Sequence, residues 1–382
     1  MIKRKNHHKK TIILLFIVIL CVIFCVSCGD SKDTGTPLFS KEDVDDYAYG
    51  VIYAYHNVDA IVQLYASDGS LIRKANMENV RGFGLCSSST KPYVKYDDCY
   101  YYVSDAAFDP NLKNSVVKLN PKSVTYERIE LSMENNFTYN FSIDAHDNVI
   151  SAYYSGSPEF GCVYETAMKN GENQYYAFNT LENYEAVISS GSNFWPLDAI
   201  HCEDLDYFIG YITNQSLGSR TLAIGTVKED AIDILCHFNG YLYAKGFLYD
   251  NDSLYVTAFD SKDNAKVMKY HIPTMTTDAS LSLDYQSRDV KLYQWDDRLL
   301  ILNCDMDYPE QQRKAIYATK ELRIEETYDI AQPIQICDIS SEKIVCSDTE
   351  NIYVYDHEWN QTTSFAVEKE PQMKFSGIFF KQ

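Results

Sequence analysis

A four-strand phrase that recurs along the chain constrains its fold more than any other feature. The clearest copy runs through 242–249, 252–259 and 265–271, then passes a tight Ile272-Pro273-Thr274-Met275 turn into 276–283. Each run is rich in β-branched and aromatic residues and is bounded by turn residues, the mark of short paired strands. With the four strands lettered a to d, the second half of the phrase returns at 115–120 with 124–131, and at 174–179 with 184–189. It returns again at 221–227 with 231–237, 314–319 with 323–330, and 351–356 with 361–367. The first copy is 60–66, the turn Ser67-Asp68-Gly69, and 70–77.

The turns between strands c and d fall near 68, 121, 181, 229, 273, 320 and 357. The spacing is uneven, but a repeat of about 40–50 residues is the period of a β-propeller. No long segment of helical period follows the first thirty residues, and the chain holds 32 Tyr against 16 Gly and 10 Pro. The two ends complement each other. The first copy lacks a strand a, whereas 373–380 forms one strand without a partner, with Phe375, Ile378 and Phe380 apolar in an otherwise polar tail. The expected fold is therefore all-β: a seven-bladed β-propeller of four-stranded blades, its ring closed by the C-terminal strand joining the N-terminal blade. Closure of this kind removes exposed sheet edges. Over 48–382 the arrangement resembles propellers of the YVTN/quinoprotein-like and WD40-like group, and the resemblance is architectural. Trp295-Asp296 falls in an a–b turn rather than at the end of strand c, and only Trp195, Trp295 and Trp359 are present, so the repeated tryptophan motifs of quinone-binding dehydrogenases are missing.

The first thirty residues carry a second message. Lys3, Arg4, Lys5, Lys9 and Lys10 precede an unbroken apolar run from Ile12 to Val26, then Ser27, Cys28 and a polar stretch from Gly29. That is the layout of a secretory signal. Cys25-Val26-Ser27-Cys28 resembles the lipobox of bacterial lipoproteins, with Cys25 where Leu is usual. The resemblance implies a signal peptide over 1–27, acylation (palmitate or a similar chain) at Cys28, and a membrane-anchored, extracytoplasmic domain. Fifteen apolar residues are short for a membrane span, which needs about 20. Residues 28–47 read as a polar stalk, and 48–382 as the propeller domain.

Beyond the leader, 29 Lys and Arg remain against 54 Asp and Glu, a formal charge of −25. A nucleic-acid partner is disfavoured, because phosphate contacts need a basic face. Eight cysteines follow the leader: Cys86, Cys99, Cys162, Cys202, Cys236, Cys304, Cys337 and Cys346. They are scattered one or two per repeat, mostly in apolar strand patterns, and show no metal-ligand spacing. They read as buried thiols, with a few disulfides open to an exported protein.

Long connections between strands b and c are expected at 106–114, 156–173, 214–220, 260–264 and 305–313, while c–d turns are tight. Elaborated loops on one face are where binding concentrates. Phe108, Asp109, Tyr154, Glu159, Phe160, Asn214, Gln215, Asp305, Asp307, Tyr308 and Glu310 are the candidates on that ligand face. His201-Cys202 places a base beside a thiol, but adjacent strand residues point to opposite faces. Asp260 to Asn264 is oxygen-rich, yet it lacks the Gly and the closing Glu of a calcium loop. No cofactor, metal or catalytic group is expected. The expected function is a lipid-anchored binding or scaffolding module for a protein or glycan ligand. The alternative is an extracytoplasmic enzyme acting on glycans with two carboxylates on the loop face.

Overall fold

The structure is a computed structural model that describes residues 35–55, 58–82, 93–104, 112–134, 137–143, 148–154, 162–167, 174–177, 192–202, 205–214, 219–228, 231–238, 240–274, 276–305 and 314–381. Two units separate, 1–36 and 37–382, and the second carries the sheets described below. A short strand β1 (Thr36–Pro37) and one helical turn α1 (Lys41–Asp46) precede β2 (Tyr49–Tyr55), β3 (Val58–Tyr65) and β4 (Leu71–Met77). Next come β5 (Val94–Tyr96), β6 (Cys99–Ser104), β7 (Lys113–Asn120) and β8 (Thr125–Glu134). The third group is β9 (Phe137–Ile143), β10 (Val149–Tyr154), β11 (Cys162–Ala167) and β12 (Gln174–Ala177), and the fourth is β13 (Ser192–Cys202), β14 (Leu205–Asn214), β15 (Ser219–Lys228) and β16 (Ala231–Phe238). Then follow β17 (Tyr241–Asp250), β18 (Ser253–Asp260), β19 (Asn264–His271) and β20 (Thr276–Gln286), and β21 (Val290–Trp295), β22 (Arg298–Asn303), β23 (Lys314–Thr319) and β24 (Ile324–Asp329). The chain finishes with β25 (Ile336–Ile339), β26 (Ile344–Ser347), β27 (Asn351–Tyr355), β28 (Gln361–Ala366) and β29 (Lys374–Phe380).

Each group of four pairs in chain order as an antiparallel meander, and the C-terminal strand pairs with the first group in the order β29-β2-β3-β4. Val51 faces Ile378 and Gly50 faces Phe379 in that pairing. Among the described residues, six sheets have four strands, and the β5–β8 sheet gains β1 beyond β8 as a fifth. Sheets of this kind, each winding from an inner strand a to an outer strand d, make a β-propeller of four-stranded blades. The fifth strand departs from the uniform four-stranded blade read from the sequence. Its continuation is held where the Leu38 N–H donates to the Val124 carbonyl.

Burial explains why the blades stack. Central strands are buried on both faces, as in β6 and β18, whereas outer strands β24 and β28 alternate or lie open to solvent. A central strand lies between two neighbouring sheets, so both of its faces need apolar residues. The cores accordingly lie between sheets. Tyr255, Phe259 and Val267 pack with Leu292, Leu299 and Ile301, and Leu300, Leu302 and Tyr317 pack with Cys337, Cys346 and Tyr353. Val51, Ile378 and Phe380 of the first sheet pack with Val345, Ile352 and Val354 of the last.

One hairpin turn recurs between strands c and d. Ala66 to Ser70, Thr319 to Arg323 and Asp356 to Asn360 repeat the same pair of backbone hydrogen bonds. The third loop residue is left-handed in each: Gly69 at φ 84°, Leu322 at 61° and Trp359 at 60°. This is the three-residue hairpin loop, whose last position demands positive φ.

Two sequence readings change. The strand at 174–177 is the outer strand of its sheet, and Cys162–Ala167 is strand c, with Val149 opposite Ala167. The expected long connection 156–173 therefore contains a strand; residues 184–189, read as a strand, lie outside the described residues. The expected long loop at 260–264 is a tight turn: Asp260 Oδ1 accepts the Lys262 and Asn264 N–H groups at 2.7 and 3.0 Å. Within the segment read as a stalk, α1 packs on the domain. Ser40 caps it, Val44 and Tyr47 are buried, and Lys381 Nζ donates to the Val44 and Asp45 carbonyls.

Candidate functional site

Inner strands β5, β9, β13, β17, β21 and β25 converge on a cavity of about 560 Å³. Its walls are mostly apolar, with Val94, Ile143, Ala199, Leu248 and Leu292 among them. Tyr93, Lys95, Tyr96, His201, Tyr249, Lys291, Tyr293, Gln294 and Asp338 supply the polar points. A volume of this size and an apolar wall with a few polar groups suit a small molecule.

Asp338 is the organising group. It sits on β25 and is 1% exposed. Oδ2 accepts the Tyr100 hydroxyl at 2.5 Å, and Oδ1 accepts the Ile339 N–H at 2.8 Å. Lys95 Nζ stands 2.9 Å from Oδ1. The Tyr93 hydroxyl lies between Oδ1 at 2.8 Å and the Cys337 carbonyl at 2.9 Å. A buried carboxylate is tolerated only with such a set of donors. Burial, reinforced by the Asp338 charge, pushes the Tyr93 and Tyr100 hydroxyls far above the ordinary phenol range. Both therefore stay protonated and donate.

Two ammonium groups border the same space. Lys95 Nζ also lies over the Tyr100 and Phe380 rings, 4.7 and 4.8 Å from their centres. Lys291 Nζ donates to the Gln335 carbonyl at 3.2 Å and stands 4.0 Å from Asp289 Oδ2. Burial draws the Lys291 ammonium down, but the Asp289 charge and neighbouring thiols hold it above its usual value. Tyr293 donates to the Cys337 carbonyl at 3.3 Å, and the His201 N–H donates to Ser142 Oγ at 2.9 Å. Among the described residues that line it, the cavity thus carries two ammonium groups against one carboxylate, in a domain that is strongly acidic overall. Among the described residues no cluster of three His, Cys, Asp or Glu stands in a metal-binding array.

The residues singled out on the loop face are distributed differently. Asp305 is buried, and its Oδ2 accepts the Arg288 N–H at 2.5 Å while its own N–H donates to Asn303 Oδ1 at 3.2 Å. It is a turn-holding carboxylate. Tyr154 ends β10 opposite Cys162, and Asn214 ends β14 opposite Ser219. Cys28, Phe108, Asp109, Glu159, Phe160, Gln215, Asp307, Tyr308 and Glu310 lie outside the described residues. Sequence reasoning passed over Tyr93, Lys95, Lys291, Tyr293 and Asp338. Three of the inner strands set one charge among apolar or aromatic residues, as in Val94-Lys95-Tyr96, Val290-Lys291-Leu292 and Cys337-Asp338-Ile339, a pattern too short to form a motif.

No known protein family matches the sequence, and no curated protein does. Solved structures do match. A protein of Bacteroides uniformis ATCC 8492, provisionally described as a 6-phosphogluconolactonase, is 11% identical with a TM-score of 0.52 over 88% of this chain and 100% of its own. Apo AztD of Citrobacter koseri is 11% identical with a TM-score of 0.50 over 87% of this chain and 98% of its own. BamB of Moraxella catarrhalis is 12% identical with a TM-score of 0.43 over 84% and 86%. At such identities the likeness shows the fold alone.

Proposed function

We propose that this chain is a lipid-anchored, extracytoplasmic binding protein whose propeller takes a small acidic molecule into its axial cavity. One observation carries the reading. Among the described lining residues, Lys95 and Lys291 face an apolar, tyrosine-rimmed space with one carboxylate, Asp338, which is already engaged. An acidic group on an apolar or aromatic body complements both features. The leader layout supports the anchor at Cys28. The architecture we infer is a ring of seven blades closed by β29. The pairing of β29 with β2, and the shared core of the first and last sheets, support it.

The test is a thermal-shift titration of the domain with 3-phenylpropionate and indole-3-acetate, beside the neutral sugar maltotetraose. The aromatic carboxylates raise the melting temperature of the parent protein, and Lys291→Met abolishes the shift. A shift given only by the sugar, or one untouched by Lys291→Met, overturns the acidic-ligand reading. For the anchor, Cys28→Ala abolishes labelling by an alkyne fatty acid in cells; undiminished labelling contradicts it.

A further inference from the structure

We propose that Cys337 and Cys346 are a cross-strand thiol pair that closes a disulfide across β25 and β26 directly behind the cavity. The two residues are Cα partners in the antiparallel register of these strands. The register also tells which kind of pair they form. At the hairpin tip the Ser340 N–H donates to the Lys343 carbonyl at 3.0 Å. That makes 340/343 a hydrogen-bonded pair. Pair types alternate along an antiparallel ladder. Counting back, 339/344 is non-hydrogen-bonded, 338/345 hydrogen-bonded, and 337/346 non-hydrogen-bonded. Non-hydrogen-bonded partners have Cα atoms about 4.5 Å apart and their side chains close together. That separation lies inside the disulfide range of about 4.4–6.8 Å.

Opposed partners project from the same face of the sheet. Here that face is the core shared with the β21–β24 sheet, where both thiols are buried beside Leu300, Leu302 and Tyr317. The Cys346 thiol is close enough to act on the ionisation of the Cys337 thiol. The strand's other face presents Asp338 to the cavity. The Cys337 carbonyl takes the Tyr93 and Tyr293 hydroxyls. The link would therefore fix the strand that carries the site's organising carboxylate.

The chemistry needs an oxidant, and a low-molecular-weight disulfide such as oxidised glutathione suffices. One thiol, as thiolate, attacks a glutathione sulfur, forming a mixed disulfide and releasing one reduced glutathione. The second thiolate then attacks the protein sulfur of that mixed disulfide, closing Cys337–Cys346 and releasing a second reduced glutathione. Two protein thiols lose two electrons, the oxidant gains them, and the two protons pass to the two glutathione thiolates. Burial pushes the Cys337 thiol well up, with the neighbouring Cys346 thiol adding to it. The exchange therefore belongs to the folding chain, before the thiols are enclosed. Cys304, buried in the same core, is the competing partner.

The experiment is refolding of the full chain in a reduced/oxidised glutathione buffer, then acid quench, denaturation and alkylation without reductant. Trypsin cuts after Arg323, Lys343 and Lys369, so Cys337 and Cys346 fall on separate peptides, 324–343 and 344–369, each with one cysteine. The expected result is a single linked species of those two peptides, two hydrogens lighter than their sum and split by reductant. Cys346→Ser removes it, and the oxidised parent melts a few degrees above its reduced form. Recovery of both peptides alkylated, or of Cys337 linked to Cys304, overturns the proposal. Because the readout is peptide mass, it stands whether or not the cavity binds an acidic molecule.

Discussion

Replacing Asp338 by Ala removes, in one step, the acceptor of Lys95, Tyr93 and Tyr100. Leaving a buried charge without its partner costs about 3–5 kcal/mol. Asp338→Ala should lower the stability measured by urea unfolding by that order, whereas Asp338→Asn, which keeps the acceptor oxygen, should cost less. Equal losses would mean that charge pairing at this site matters little. The tyrosines give a second prediction at the same scale. Burial holds Tyr93, Tyr102 and Tyr293 well above the ordinary phenol value, and it raises Tyr317 and Tyr353 to about 12. Unfolded tyrosine ionises near pH 10. A folded value above the unfolded one means that the contribution is complete below pH 10 and is lost as pH rises through 10 towards 12. The urea midpoint should hold level from pH 7 to 9 and fall steeply above 10; a level midpoint to pH 11.5 would contradict the burial of these hydroxyls.

At the scale of elements, the strands that could be read in the sequence are those whose apolar pattern and turn chemistry agree. The runs at 252–259 and 265–271 became β18 and β19 almost residue for residue. The third sheet was misread because 162–167 and 174–179 look alike as isolated strands. Only the pairing of β11 with both β10 and β12 shows which is central. Two substitutions probe the elements. Leu322 occupies a left-handed turn position and is buried. Leu322→Gly relieves about 1–2 kcal/mol of backbone strain but forfeits about 1.5–3 kcal/mol of burial. The balance is a small net loss of stability, and a gain would mean that the side chain contributes little. Gly50 lies under the Phe379 ring, whose atoms come within 2.0 Å of a Cβ built there. Phe379 is fully buried and cannot retreat. Gly50→Ala should therefore destabilise by more than the 1–3 kcal/mol usual for overpacking, read by the same unfolding measurement.

At the scale of the whole molecule, the repeat announced the propeller, but nothing local announced the cavity. Tyr93 and the Cys337 carbonyl stand 244 residues apart. The inner strands that bring them together, β5 and β25, are three and four residues long. Strands so short carry no readable period, and one charge in each gives no motif. Elaborated loops drew attention instead, and Asp305 turned out to serve its own turn. The proposed ring depends most on β29. That strand pairs with β2 and joins the cores on either side, with Phe379 packed among Tyr47, Tyr100 and Tyr102, and Phe380 against Val345 and Val354. The most direct test is thermal unfolding of a chain lacking 372–382, followed by circular dichroism beside the parent. The account predicts a transition that is broad and many degrees lower, because the deletion opens a sheet edge and two cores at once. A cooperative transition at the parent temperature would contradict it.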